Sequence, residues 1–199
     1  SVEGLYPAAD ALDPLKNLSL GLDSVPSQVR ASSWSNANGH PTSVFTGERS
    51  NEWKNNDKSC WTTHGGTDHQ ASGEKDIGLA ANLGGIKQFD TVLINIRPNN
   101  FNGNIDKLTI EVSSDGDVWS ALNSSQTNGT WPETGSGWEL FADTTPESGR
   151  SVYAFQASQP VSAQYVRLNI HKAVEGNISQ VLVNSFEVYD NSGAPPLEP

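Results

Sequence analysis

Sulfur-containing residues are almost absent from this chain of 199 residues, which has one cysteine, Cys60, and no methionine. A single cysteine cannot form an internal disulfide bond. Extracellular vertebrate domains of this size usually carry disulfides, whereas bacterial secreted or surface proteins need not. Because the chain begins at Ser1 and lacks methionine, we expect any signal segment to be missing from it. We therefore expect a secreted, periplasmic or bacterial cell-surface location.

Basic residues are also scarce, with 12 Lys and Arg against 23 Asp and Glu and a formal net charge of −11. They are scattered, and no run of them forms a basic patch. The chain therefore lacks the cations that bind a phosphate backbone or an anionic membrane surface. Nucleic acids, anionic lipids and heparin-like polyanions are unfavourable partners unless a local basic pocket exists. No apolar run approaches the ~18 residues of a membrane-spanning helix.

Helical periodicity is missing, and alternation of apolar and polar residues dominates instead. In 163–172, for example, Val166, Leu168 and Ile170 point one way and their neighbours point the other. Similar alternation, or a short apolar run, predicts strands in 28–34, 75–84, 91–98, 106–114, 117–122, 152–158 and 185–190. The sequence therefore predicts an all-β sandwich of about eight short antiparallel strands.

The predicted sandwich occupies residues 25–190 as one domain. Residues 1–24 have weak periodicity, and we expect an irregular N-terminal lead that wraps the domain or links it to something upstream. Residues 191–199 form a Pro-rich C-terminal tail. Two long inserts, 46–74 and 123–139, interrupt the strands, and loops of this length are usually functional or disordered. Both inserts contain tryptophans, which favours ordered loops with a function.

Several short motifs occur in a recognisable order: "RASSWSNANGHPTSVFTGE" (30–48), "SCW" (59–61), "VSSDGDVW" (112–119), "QYVRLNI" (164–170) and "VNSFEVYD" (183–190). The series resembles the F5/8 type C, or discoidin-like, domain, and in particular the family 32 carbohydrate-binding modules of the galactose-binding-like fold. The resemblance covers nearly the whole chain. It implies a jelly-roll β-sandwich, usually non-catalytic, that binds ligands through long loops at one end. Within these motifs we expect a tight hairpin turn at Asp115-Gly116 and a core position for Trp119.

The resemblance also suggests sugar-binding residues. In sugar-binding members an Arg ends one strand and an Asn-Gly follows in the next loop, which here selects Arg97 and Asn102. A guanidinium offers fixed donors to sugar oxygens, and an amide can both donate to and accept from a hydroxyl group. The alternative for Arg97 is a surface residue that caps the strand end.

A histidine and an aromatic ring would complete such a site. Members often have Trp-His-Thr where this chain has Trp61-Thr62-Thr63, so His64 or His69 would have to substitute for the histidine. The alternative for His64 is a solvated loop residue. Phe101 and Trp131 are candidates for stacking on the apolar side of a pyranose ring, as are Trp53 and Trp138. Each could instead be a loop anchor that packs against the sandwich, which we favour for Trp138.

Many relatives hold a structural Ca²⁺ ion, and this chain departs from their pattern. Thr46 and Ser185 stand where relatives have an Asp and a Glu. Asn56, Asp57 and Ser59 could still supply oxygen ligands. No cofactor is expected to be required.

Catalysis is not expected. Cys60 and His64 suggest a thiol nucleophile, but a buried Cys at a strand entry beside Trp61 is the commoner arrangement. No pair of carboxylates forms a glycosidase motif, and His64, Asp68 and His69 lack a further zinc ligand. We expect a monomeric module that binds a galactose-type or related glycan, either alone or beside a glycan-degrading enzyme. The alternative is a cell-surface adhesion domain that binds a protein or, less favourably, a lipid.

Overall fold

The chain is built of strands and short 3-10 turns. The computed structural model describes residues 12–34, 39–47, 61–62, 76–96, 105–121, 138–145, 150–172 and 182–192. The strands are β1 (Val29–Ala31), β2 (Trp61–Thr62), β3 (Asp76–Ile96), β4 (Ile105–Ser113), β5 (Ser120–Ala121), β6 (Trp138–Thr145), β7 (Arg150–Lys172) and β8 (Leu182–Tyr189). The 3-10 turns are Pro14–Lys16, Leu22–Ser24, Pro26–Gln28 and Pro41–Phe45. No helix in these ranges is long and apolar enough to cross a membrane.

Two long strands, β3 and β7, form the spine of the fold. They pair antiparallel over most of their length, with register shifts between Asn82 and Lys87 and between Phe89 and Thr91. At the first shift Gly84 adopts a φ of 84°, and its N–H group donates to Asn82 Oδ1 at 2.9 Å. Because a bulge bends a strand without ending it, segments that the sequence predicted as separate strands are continuous here.

The halves of this ribbon belong to two sheets. The first sheet has the order β1-β3-β7-β4-β5, and the second has the order β2-β8-β3-β7-β6. All these pairings are antiparallel. The predicted all-β sandwich of about eight antiparallel strands is therefore confirmed.

One hydrophobic core joins the two sheets. Ile77 and Leu79 come from the first half of β3, and Val92 and Ile94 come from its second half, yet all four are fully buried in the same cluster. In the other strands the residues predicted to face inward are buried with them: Ile110, Val166, Leu168, Ile170, Phe186 and Val188. Alternation of period 2 therefore located one buried face of each strand, but it missed that β8 is buried on both faces, since Glu187 and Tyr189 are buried as well.

The N-terminal segment lies along the free edge of β8. Leu18 N donates to the carbonyl of Val188 at 2.7 Å, and Ser19 Oγ donates to the carbonyl of Phe186 at 3.0 Å. Asn17, which is buried, accepts from Val188 N at 2.9 Å through its Oδ1 atom. Residues 17–19 therefore cover part of a strand edge that would otherwise expose unpaired backbone groups.

The segment between β4 and β5 is a six-residue connection, which is longer than a two-residue hairpin turn. Asp115 Oδ1 accepts from the backbone N–H groups of Asp117 at 2.8 Å and Val118 at 2.9 Å. Gly116 has a φ of 83°, and a Cβ atom there would lie 3.1 Å from the Tyr165 ring. The chain therefore turns at Asp115-Gly116 and packs there against an aromatic side chain of β7, but the predicted tight hairpin turn is replaced by a longer connection.

The prediction that Trp119 enters the core is wrong. Trp119 is only half-buried, and its ring lies on the outer side of the first sheet. There it contacts Tyr165 edge-on, with ring centroids 6.3 Å apart, and Arg167, whose Cζ atom is 4.1 Å from the Trp119 ring centroid. The long turn delivers the tryptophan to the outer face, where a cation–π contact stabilises it.

We expect Asp115→Ala to destabilise the fold at neutral pH and to matter less in acid. The hydrogen bonds from Val118 N–H and Asp117 N–H lower the pKa of the Asp115 carboxyl below 3.8. A lowered pKa in the folded state adds stability above the unfolded-state pKa, and this stability is lost as the pH falls through the folded-state value. Thermal unfolding of both proteins should therefore show a gap in Tm at pH ~7 that narrows towards pH ~3. Asp117→Ala is the matched control, and an equal gap at both pH values would contradict the account.

Candidate ligand-binding site

Three of the connections between strands have neighbouring anchors: each one runs between the same group of strand ends in the first sheet and the same group in the second sheet. In the first sheet, Asp76 pairs with His171 and Ile105 pairs with Lys172. The ends of β3, β4 and β7 therefore lie together there. The connections that begin or end at this group are 63–75, 97–104 and 173–181.

The second sheet holds the other ends of the same connections. Thr62 pairs with Leu182, and both Ile96 and Trp61 pair with Val183. The end of β2, the end of β3 and the start of β8 are therefore neighbours. Since each connection runs from this group to the group in the first sheet, their anchoring residues define one region of the sandwich.

The sugar-binding candidates predicted from the sequence lie outside the described residues, except Trp138, which begins β6. Arg97, Phe101 and Asn102 belong to the connection 97–104, and His64 and His69 belong to the connection 63–75. The two connections that contain these five residues are therefore anchored at the same two groups of strand ends. Trp131 also lies outside the described residues, in the connection 122–137 between β5 and β6, which has different anchors.

Trp61 is described through its backbone alone. It starts β2 and pairs with Val183 of β8, which confirms that a strand begins directly after Cys60. Cys60 itself lies outside the described residues, so the choice between a buried thiol and a nucleophile stays a prediction.

The described residues fit a calcium ion poorly. Ser185 is fully buried on β8 and Thr46 is exposed after the 3-10 turn Pro41–Phe45. Both offer a neutral hydroxyl group where relatives would offer a carboxylate, and Ca²⁺ sites depend on carboxylate charge. Within the described ranges no three His, Cys, Asp or Glu side chains are grouped so that they could hold a metal. The predicted ligands Asn56, Asp57 and Ser59 lie outside the described residues, so the calcium site stays a prediction.

A polar hollow on the outer face of the first sheet was not predicted from the sequence. Alternation correctly placed Tyr165 and Arg167 on the outer side of β7, but it did not show which groups they meet. Trp119 reaches this face only because of the long turn between β4 and β5. Arg30 reaches it only because β1 pairs with β3. This outer-face hollow has a cavity volume of about 40 Å³ and is lined by Ser27, Gln28, Arg30, Ala80, Asn82, Trp119 and Tyr165.

No family model matches the sequence, and no curated protein matches it either. Solved structures do share its fold. One is CpGH89CBM32-5 from Clostridium perfringens in complex with GalNAc-β-1,3-galactose, at 20% identity over 81% of this chain and 93% of that chain, with a TM-score of 0.51. A second is the family 32 CBM from C. perfringens NanJ in complex with galactose, at 15% identity over 81% of this chain and 92% of that chain, with a TM-score of 0.52.

A third similar structure is chitosan-binding module 1 derived from the chitosanase/glucanase of Paenibacillus sp. IK-5. It is 19% identical, over 87% of this chain and 98% of that chain, with a TM-score of 0.52. Likeness at these identities shows the fold, a β-sandwich that this chain shares with the three carbohydrate-binding modules. The predicted fold class and the resemblance to family 32 modules are thereby confirmed at the level of fold.

Proposed function

We propose that this chain is a non-catalytic carbohydrate-binding module for galactose-type or related glycans. The observation that carries the proposal is that five of the six predicted sugar-binding residues, all except Trp131, belong to two connections, 63–75 and 97–104, with common anchors in both sheets. Three structures with this fold are sugar-binding modules, two of them in complex with galactose or GalNAc-β-1,3-galactose. Because a fold does not fix a function by itself, the support comes from the fold and the candidate residues together.

The residue types suit recognition of a neutral sugar. Arg97 directly follows Ile96, the last residue of β3. Its guanidinium donates to sugar oxygens, while the Asn102 amide and the imidazole of His64 or His69 can donate and accept. Phe101 supplies an apolar face for the C–H side of the ring. A site of this kind binds without chemistry, which suits an accessory domain that keeps a secreted glycan-degrading enzyme on its substrate.

We expect Arg97→Ala to weaken galactose binding at least tenfold, because truncation removes charge-assisted hydrogen bonds to the sugar, worth more than ~1.4 kcal/mol together. The measurement is isothermal titration calorimetry with methyl galactoside, after a glycan array has shown which galactose-type glycan binds best. Lys87→Ala is the control, since it also removes one positive charge, and Lys87 is an exposed residue at the bulge within β3.

Two results would count against the proposal, in different ways. Equal affinity of wild type and Arg97→Ala would remove Arg97 from the site but leave sugar binding intact. No binding to any glycan on the array would reject the carbohydrate-binding function itself and favour a protein partner.

A further inference from the structure

The outer-face hollow is rich in hydrogen-bond donors and has no acidic residue in its lining. Asn82 Oδ1 already accepts from Gly84 N at 2.9 Å and from Gln164 Nε2 at 3.0 Å, so the Asn82 amide has its NH₂ group left to donate. The Tyr165 hydroxyl and the Trp119 indole N–H make no hydrogen bond to the described residues. An acceptor-rich ligand would satisfy all of these groups.

Two arginines lie in one row across this face, and only one of them is neutralised. Arg30 of β1 pairs with Ala80 of β3, and Ala80 pairs with Arg167 of β7. On the other side of β7, Arg167 pairs with Glu111 of β4. Arg167 forms a salt bridge with Glu111. Arg30 is exposed and forms no ion pair or hydrogen bond with any residue in the described ranges. The row therefore carries a local charge of +1 in a chain of net charge −11.

The two arginines flank a small residue. Ala80 is the small residue between the two arginines, and strands ~4.8 Å apart place Arg30 and Arg167 about 10 Å from each other. Trp119 and Tyr165 form an aromatic wall on the side of β7, and Gly116 packs against the Tyr165 ring and fixes it. Aromatic walls beside polar donors are typical of sites that bind sugar rings.

We propose that the outer-face hollow is a second binding site, for a sugar that carries a carboxylate, such as a hexuronic acid residue of an acidic glycan. The Arg30 guanidinium forms a bidentate pair with the carboxylate, which the planar fork of an arginine matches better than any other cation. Asn82 and Tyr165 donate to ring and hydroxyl oxygens, and Trp119 packs against the C–H side of the ring. A single unpaired cation suits one carboxylate and not a dense polyanion, which the net charge of −11 would repel.

The test is a titration of the full chain with methyl galacturonide and methyl galactoside, two probes that differ only at C6, where one carries the carboxylate. We expect the galacturonide to bind Arg97→Ala as well as it binds wild type. We expect Arg30→Ala to weaken the galacturonide at least tenfold and Arg30→Lys to weaken it less, because lysine keeps the charge but loses the fork. Lys87→Ala is the charge-matched control and should leave binding unchanged. The Trp119 indole signal in NMR spectra should shift with the galacturonide and lose this shift in Arg30→Ala.

The outcomes separate this site from the one proposed above. Galacturonide binding that is absent, or unchanged in Arg30→Ala, overturns the second site whatever the galactoside does. Tighter Arg30-dependent binding of a short peptide with a free C-terminal carboxylate overturns the assignment to a sugar. A chain that binds the galacturonide but not the galactoside would count against the loop site proposed above and would leave the second site supported. Arg30 is exposed on a three-residue strand at the edge of the sheet, and an unchanged Tm would show that its variants stay folded.

Discussion

We expect Asn17→Ala to lower the free energy of unfolding by about 2–4 kcal/mol, because it leaves buried donors without an acceptor. Asn17 Oδ1 accepts from the buried backbone N–H groups of Ser19 at 3.0 Å and Val188 at 2.9 Å. One side-chain oxygen thus joins the N-terminal segment to the edge of β8. Urea unfolding followed by circular dichroism measures the change.

Asp13→Ala is the matched control for this prediction. Asp13 Oδ1 accepts from Leu15 N at 3.0 Å in the same segment, but both residues are exposed. Its loss should cost no more than ~1 kcal/mol, as for other exposed caps. If the two variants were equally stable, the N-terminal segment would not be held to β8 by Asn17.

The second large effect is expected for Phe186→Ala, at about 3–5 kcal/mol. The Phe186 side chain is fully buried and meets Phe45 edge-on, with ring centroids 6.0 Å apart. Truncation would open a cavity between β8 and the 3-10 turn Pro41–Phe45. The same unfolding experiment checks this value.

Phe186→Leu and Val118→Ala are the two controls for the stability loss expected for Phe186→Ala. Leucine keeps most of the buried apolar volume and should restore most of the stability. Val118 is 73% exposed, so its truncation should change the stability by less than ~0.5 kcal/mol. A cost for Phe186→Ala that matched the Val118→Ala value would contradict the proposed position of Phe186 in the core.

The parts of the fold that follow local patterns could be predicted from the sequence. Val166, Leu168 and Ile170 alternate with polar neighbours, and one buried face of a sheet is sufficient to produce this pattern. Gly116 at a positive φ follows from the Asp-Gly pair in the same way. The continuity of β3 and β7 could not be predicted, because their bulges contain the glycines and prolines that usually mark the end of a strand.

The contacts that depend on distant residues were missed. Asn17 and Val188 are far apart in the chain, and no local sequence pattern in either segment predicts their hydrogen bond. Trp119 follows an alternating motif that favours the core, but the six-residue connection before β5 turns it to the outer face. The outer-face hollow combines Arg30 with Tyr165 across three strands, so only the register of the sheet shows it.

The most direct test of the carbohydrate-binding function is an NMR titration of the ¹⁵N-labelled chain with methyl galactoside. We predict saturable shifts of backbone amides in 63–75 and 97–104, and at the strand ends next to them, Ile96 and Ile105. We predict no shifts in the Ser113–Trp119 turn. A spectrum that the galactoside leaves unchanged, or shifts confined to that turn, would contradict the proposed loop site.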